Sequence, residues 1–134
     1  MTQRKVTSAL KRIESAYTKG FYLEALLSNY HLNIDLLKLI YSKSGLTGSA
    51  EDKKIKALIS ELNEQIGKEE KLKTLIAKKN LKIVKVWASK MDAYFKVLKH
   101  KSPENSKSMY VECQKIFAIL NLSAHKIFAQ GKRV

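Results

Sequence analysis

The sequence predicts an all-α protein: a four- to five-helix up-and-down bundle formed by one domain over residues 1–134. Three observations carry that prediction. Apolar residues recur at intervals of three and four along most of the chain. No run alternates apolar and polar residues in the manner of a half-buried strand. One proline and five glycines leave few interruptions, so long helices are expected. The chain has the length of an ordinary domain, and its 45% hydrophobic content suffices for a single core.

The first helix is read from Val6, Leu10, Ile13 and Tyr17, with Thr2 as its cap and Lys19-Gly20 as its end. The second runs from Phe21 to about Ser44. Its apolar side holds Leu23, Leu26, Leu27, Tyr30, Ile34, Leu37 and Ile40/Tyr41, widened by Leu32, Leu36 and Leu39, which marks it as the central helix. SGLTGSA (44–50) is the clearest loop. Ser49 is then expected to cap a third helix with Glu51 and Asp52 in its first turn. Its stripe is Ile55, Leu58/Ile59, Leu62 and Ile66, and Gly67 ends or kinks it. Residues 68–79 are helical in composition but highly charged, with Leu72, Leu75 and Ile76 as light docking points. Asn80 is expected to separate them from a fourth helix running from Leu81 to about Lys99. Ser102-Pro103 opens the last helix as a cap and first turn. That helix carries Tyr110, Cys113, Ile116/Phe117, Leu120, Ala124 and Ile127/Phe128.

Charge narrows the choice of partner. Lys plus Arg total 26 against 12 Asp plus Glu, a net charge of +14. Residues 1–67 hold ten basic and seven acidic residues, whereas residues 68–134 hold sixteen and five. From Lys71 to Lys101 there are ten lysines and only Asp92 against them. Such an excess favours polyanionic or acidic partners, although the solvated faces of a lysine-rich bundle have the same composition.

The fourth helix gives this charge a shape. At about 100° per residue, Lys78, Lys82, Lys85, Ser89, Asp92, Lys96 and Lys99 fall within a stripe roughly 100° wide. Val84, Trp87, Met91, Tyr94, Phe95 and Leu98 lie opposite, so the reading is a lysine ridge backed by core. Such a ridge contacts phosphates without reading sequence. The candidate nucleic-acid-binding residues are Lys78, Lys82, Lys85, Lys96, Lys99 and Lys101 as phosphate contacts, with His100 as a hydrogen-bond donor at their edge. The aromatic residues share the helical spacing of the core, which favours packing over a base-stacking platform.

Motifs for catalysis and cofactors are missing. There is no Gly-x-Ser-x-Gly elbow, no His-Glu-x-x-His pair and no glycine-rich nucleotide cradle. The single cysteine, Cys113, excludes an internal disulfide, makes no zinc pattern with His31, His100 or His125, and reads as an inert packing residue. Glu24, set in FYLEALL, is expected as a buried hydrogen-bonding group between helices. His31 and Asp35 are an i, i+4 pair on one helix face, the spacing of an ordinary surface contact. No catalytic residue, metal or cofactor is therefore expected. The N-terminus has no signal-peptide core and no stretch is long enough to span a membrane, so the expected localisation is cytoplasmic.

The stretch SAYTKGFYLEALLSNYHLNIDLLKLI (15–40) resembles the first helical hairpin of the HEPN superfamily, most specifically over residues 16–27. The helix order, with a variable insert, a helix ending near a histidine and a last long helix, resembles that family too. The resemblance implies a helical scaffold, frequent homodimerisation and, in its RNA-cleaving members, an Arg followed four to six residues later by a His. His100 stands where that histidine would be expected, but the upstream positions Ala93, Tyr94 and Phe95 hold no arginine. Lys96 precedes His100 by four, yet an ammonium does not reproduce a planar, bidentate guanidinium. In LNLSAH (120–125), Asn121 and His125 fit, but Leu120 stands in place of the arginine. The resemblance thus implies a degenerate ribonuclease site.

Three functions follow, in descending order of support. The first is a non-enzymatic, HEPN-like bundle binding RNA, in preference to DNA, or another polyanion through the lysine ridge. The second is an interaction module, a homodimer or the small subunit of a toxin–antitoxin-like pair, with an acidic protein partner. The third is a weak ribonuclease using His100 with Lys96.

Overall fold

The computed structural model describes residues 1–46, 48–51, 53–96 and 103–131. Among them it contains six helices and no strand: α1 (Gln3–Thr18), α2 (Tyr22–Ser42), α3 (Ile55–Gln65), α4 (Glu70–Leu75), α5 (Lys78–Lys96) and α6 (Pro103–Gly131). The all-α class is as the sequence predicts. The number of helices exceeds the expected four to five because Leu72, Leu75 and Ile76 are all buried, which turns the charged 68–79 segment into a separate docked helix.

Helix α1 begins and ends where its sequence says. Thr2 accepts a hydrogen bond from the Lys5 amide at its side-chain oxygen (3.2 Å), which satisfies one of the free N–H groups of the first turn. At the other end Gly20 takes φ 85°, a conformation that a side chain resists. This lets the Gly20 and Phe21 amides reach back to the Tyr17 (3.0 Å) and Ala16 (2.9 Å) carbonyls. The chain doubles back at this turn, so α1 and α2 form an antiparallel hairpin. The lining of one cleft by Arg4 and Lys5 together with Asp35 shows the far ends of the pair meeting.

Helix α2 is central, packed on α1, α3 and, most extensively, α6. Its buried face is turned from the predicted stripe: Leu23 is exposed, whereas Leu32 and Leu36 are in the core. Asn29 and Asn33 are buried too, because α6 supplies them with partners. Asn33 Nδ2 donates to the Cys113 carbonyl (3.1 Å), and Gln114 Nε2 donates to Asn29 Oδ1 (2.6 Å). Glu24, expected between helices, faces solvent instead. On a helix apolar nearly all round, the outward positions go to whichever residues no neighbour covers.

Two boundaries differ from expectation. The Ser49 hydroxyl accepts from the Glu51 amide (3.2 Å) in a turn, but α3 starts only at Ile55, so Glu51 lies ahead of it. Asp52 lies outside the described residues. The break between α4 and α5 is not at Asn80, which sits in the first turn of α5. It falls at Ile76, whose extended backbone (φ −146°, ψ 140°) carries its side chain into the core. Leu58, Ile59 and Leu62 of α3, Ile66 at its C-terminal cap, and Tyr110, Cys113, Ile116, Phe117, Leu120, Ala124 and Ile127 of α6 are buried as predicted. The expected Ser102 cap lies outside the described residues. Among the described residues no helix is long and apolar enough to cross a membrane.

Candidate nucleic-acid interface

Helix α5 is sided as its periodicity requires. Leu81, Val84, Trp87, Ala88, Met91 and Tyr94 are buried, and Phe95 is half-buried against Tyr30 (ring centroids 4.8 Å apart). Tyr94 is held by a 2.7 Å hydrogen bond between its hydroxyl and that of Ser106 on α6. The inward face is thus fixed by packing against α3 and α6, which leaves the opposite face to water.

Four of the candidate phosphate contacts are on that outer face: Lys78, Lys82, Lys85 and Lys96 are exposed. They are not equivalent. Lys96 Nζ lies 3.3 Å from Asp92 Oδ2, and Lys56 Nζ of α3 lies 3.0 Å from the same oxygen. Asp92 therefore bridges two lysines from two helices, and the hydrogen bonds from Lys56 and Lys96 hold its carboxyl below the usual range. Among the described residues Lys78, Lys82 and Lys85 make no ion pair. They rise over two turns, about 10 Å of helix, as a row of uncompensated charge. Lys99, His100 and Lys101 lie outside the described residues.

The exposed face is broader than the predicted stripe. Lys79 and Lys90 flank it, and between them Ile83 and Val86 are 49% and 59% exposed. These two apolar residues fall beyond the inner face on a helical wheel and stay exposed, although β-branched residues read as core in sequence. Lys56 was missed because its link to α5 spans 36 positions.

The other sequence candidates resolve as follows. Cys113 is fully buried, and desolvation pushes its thiol up to about 11, with the Trp87 and Asn29 side chains pulling weakly the other way. It is a protonated packing residue, 3.9 Å from the Met91 sulfur. His31, Asp35 and His125 are exposed. Most aromatic residues pack: Tyr17 stacks on Tyr110 with centroids 4.5 Å apart, and Tyr41 and Trp87 are buried. Phe21, 56% exposed, is the exception. Among the described residues no group of three or more His, Cys, Asp or Glu side chains is placed to hold a metal.

Fold and surface together define a basic, all-helical protein with a one-sided lysine helix. Comparison with protein-family models, with curated proteins and with solved structures finds no match.

Proposed function

We propose that this chain is a non-enzymatic, HEPN-like helical protein that binds RNA or another polyanion through the outer face of α5. The observation that carries this reading is the row Lys78, Lys82 and Lys85, exposed, without an ion pair among the described residues and backed by a packed inner face. Residues held this way present charge on a rigid element, so a phosphate backbone is met without reordering the protein. Lys96 is a weaker contact because Asp92 already engages it.

Titration of a single-stranded RNA oligomer at several salt concentrations tests this. Three phosphate contacts predict a slope of about −2 in log K against log salt, so binding weakens about twentyfold from about 50 to 200 mM. Reversing Lys78, Lys82 and Lys85 to Glu abolishes that dependence. Binding that ignores salt, or survives the reversal, overturns the proposal.

Ile83 and Val86 favour a second reading, a protein-interaction module with an acidic partner or a second copy of the chain, since exposed apolar residues among lysines suit a protein surface better than phosphates. Copurification of an acidic protein without nucleic acid supports this alternative.

A further inference from the structure

The chain holds three arginines among its 26 basic residues, Arg4, Arg12 and Arg133. Two of them, Arg4 and Arg12, line one cleft of about 730 Å³ between α1 and α2, a size that suits a small ligand. Elsewhere the protein uses lysine almost throughout. Arginine is the side chain that grips a phosphate with two parallel hydrogen bonds, whereas lysine offers a point charge.

The hairpin explains how the cleft is assembled. Arg4, Ser8 and Arg12 recur every four residues and share one side of α1, with Lys5 beside them. Counted from the turn at Gly20, Arg12 is level with Ser28, and His31 falls level with Ala9, between Arg4 and Arg12. Asp35 lies one further turn along. All of these line the cleft, with Ile13 and Leu32 as its apolar part. Glu14 falls on the far side of α1, so the carboxylate set against Arg4, Lys5 and Arg12 is Asp35. Among the described residues none of the four makes an ion pair. Three free cations in one concavity, with a neighbouring carboxylate left unengaged, form an anion site with a polarity.

We propose that this cleft binds a small phosphomonoester. The dianionic phosphoryl group sits over His31 between Arg4 and Arg12, with Ser8 as a hydroxyl donor, and Asp35 accepts a hydrogen bond from a hydroxyl of the ligand's other end. The site is separate from the α5 ridge: α1 packs on α2 and α6, whereas α5 packs on α3 and α6.

The test is titration of the full chain, at fixed ionic strength, with inorganic phosphate, glucose 6-phosphate and dimethyl phosphate, followed by NMR and calorimetry. The expected result is saturable binding of both dianions, with shifts at His31 and the arginine side chains and no saturation by the monoanionic diester. Glucose 6-phosphate binding tighter than phosphate assigns Asp35 its hydroxyl; equal affinity removes that role. Arg12→Gln weakens binding about tenfold or more, as loss of a charge-assisted hydrogen bond requires, while Lys115→Gln on α6 leaves it unchanged. Both positions are exposed, and circular dichroism confirms their folding. Absence of saturation, unchanged affinity in Arg12→Gln, or an equal loss in Lys115→Gln overturns the proposal. None of these readouts depends on whether the α5 ridge binds RNA.

Discussion

Ser123 of α6 donates its hydroxyl hydrogen to the Leu75 carbonyl at 2.6 Å, and both residues are buried. That carbonyl is at the end of α4, where the following residue is extended, so the helix itself offers it no partner. Replacing Ser123 by Ala leaves it stranded, at a cost of about 1–3 kcal/mol. Alanine is the better helix former, which returns about 0.5 kcal/mol. The net loss is about 0.5–2.5 kcal/mol. At about 2.1 cal/mol/K per residue, the unfolding entropy of a 134-residue domain converts each kcal/mol into about 3.5 °C. Thermal unfolding followed by far-UV circular dichroism should therefore show Tm lowered by about 2–9 °C. The same substitution at exposed Ser89 on α5 strands nothing and keeps the propensity gain, so Tm should rise by about 1–2 °C. Opposite signs for one chemical change are the signature. If Ser123→Ala melts at or above the parent, the bond to Leu75 contributes nothing and α4 is held by its apolar side chains alone.

Two further outcomes are expected. Cys113 binds its proton more tightly folded than unfolded, so its contribution to stability is intact below about pH 9 and is lost as pH rises toward about 11. Chemical denaturation across that range should show the decline, and Cys113→Ala should remove the part below pH 10, above which raised Tyr30 and Tyr110 add a loss of the same sign. Asp92→Asn releases Lys56 and Lys96 from their shared oxygen. The RNA salt slope should then steepen by up to about 0.7 per lysine freed, measured by the same titration.

The parts of the fold legible in sequence are those whose causes are local. Thr2, Val6, Leu10, Ile13, Tyr17 and Gly20 determine α1, each three or four residues from the next, and the inward face of α5 follows from its own spacing. The rotation of α2 is not local: Asn29 and Asn33 are buried where Gln114 and the Cys113 carbonyl meet them across 85 and 80 positions. Ile76 leaves the helix for the same reason, drawn into a core assembled from distant segments. The lysine ridge was visible as a pattern, but its partition into free Lys78, Lys82 and Lys85 and engaged Lys96 required α3 to bring Lys56 to Asp92. Arg4 and Arg12 are far along the chain from His100, the histidine that the resemblance singles out. The Arg4-Ser8-Arg12 spacing facing His31 and Asp35 across a glycine turn was the signal that pointed to the cleft.

The bond between Asn33 and the Cys113 carbonyl joins positions 80 residues apart and belongs to the largest helix–helix contact in the molecule. Domains begin to form during synthesis, at about 5–20 residues per second, so α2 emerges about 4–16 s before the helix that covers it. For that interval the nascent chain carries an apolar helix with only α1, and then α3, to shelter it. Arrival of α6 therefore closes this face of the core, which until then has no other helix to cover it as extensively.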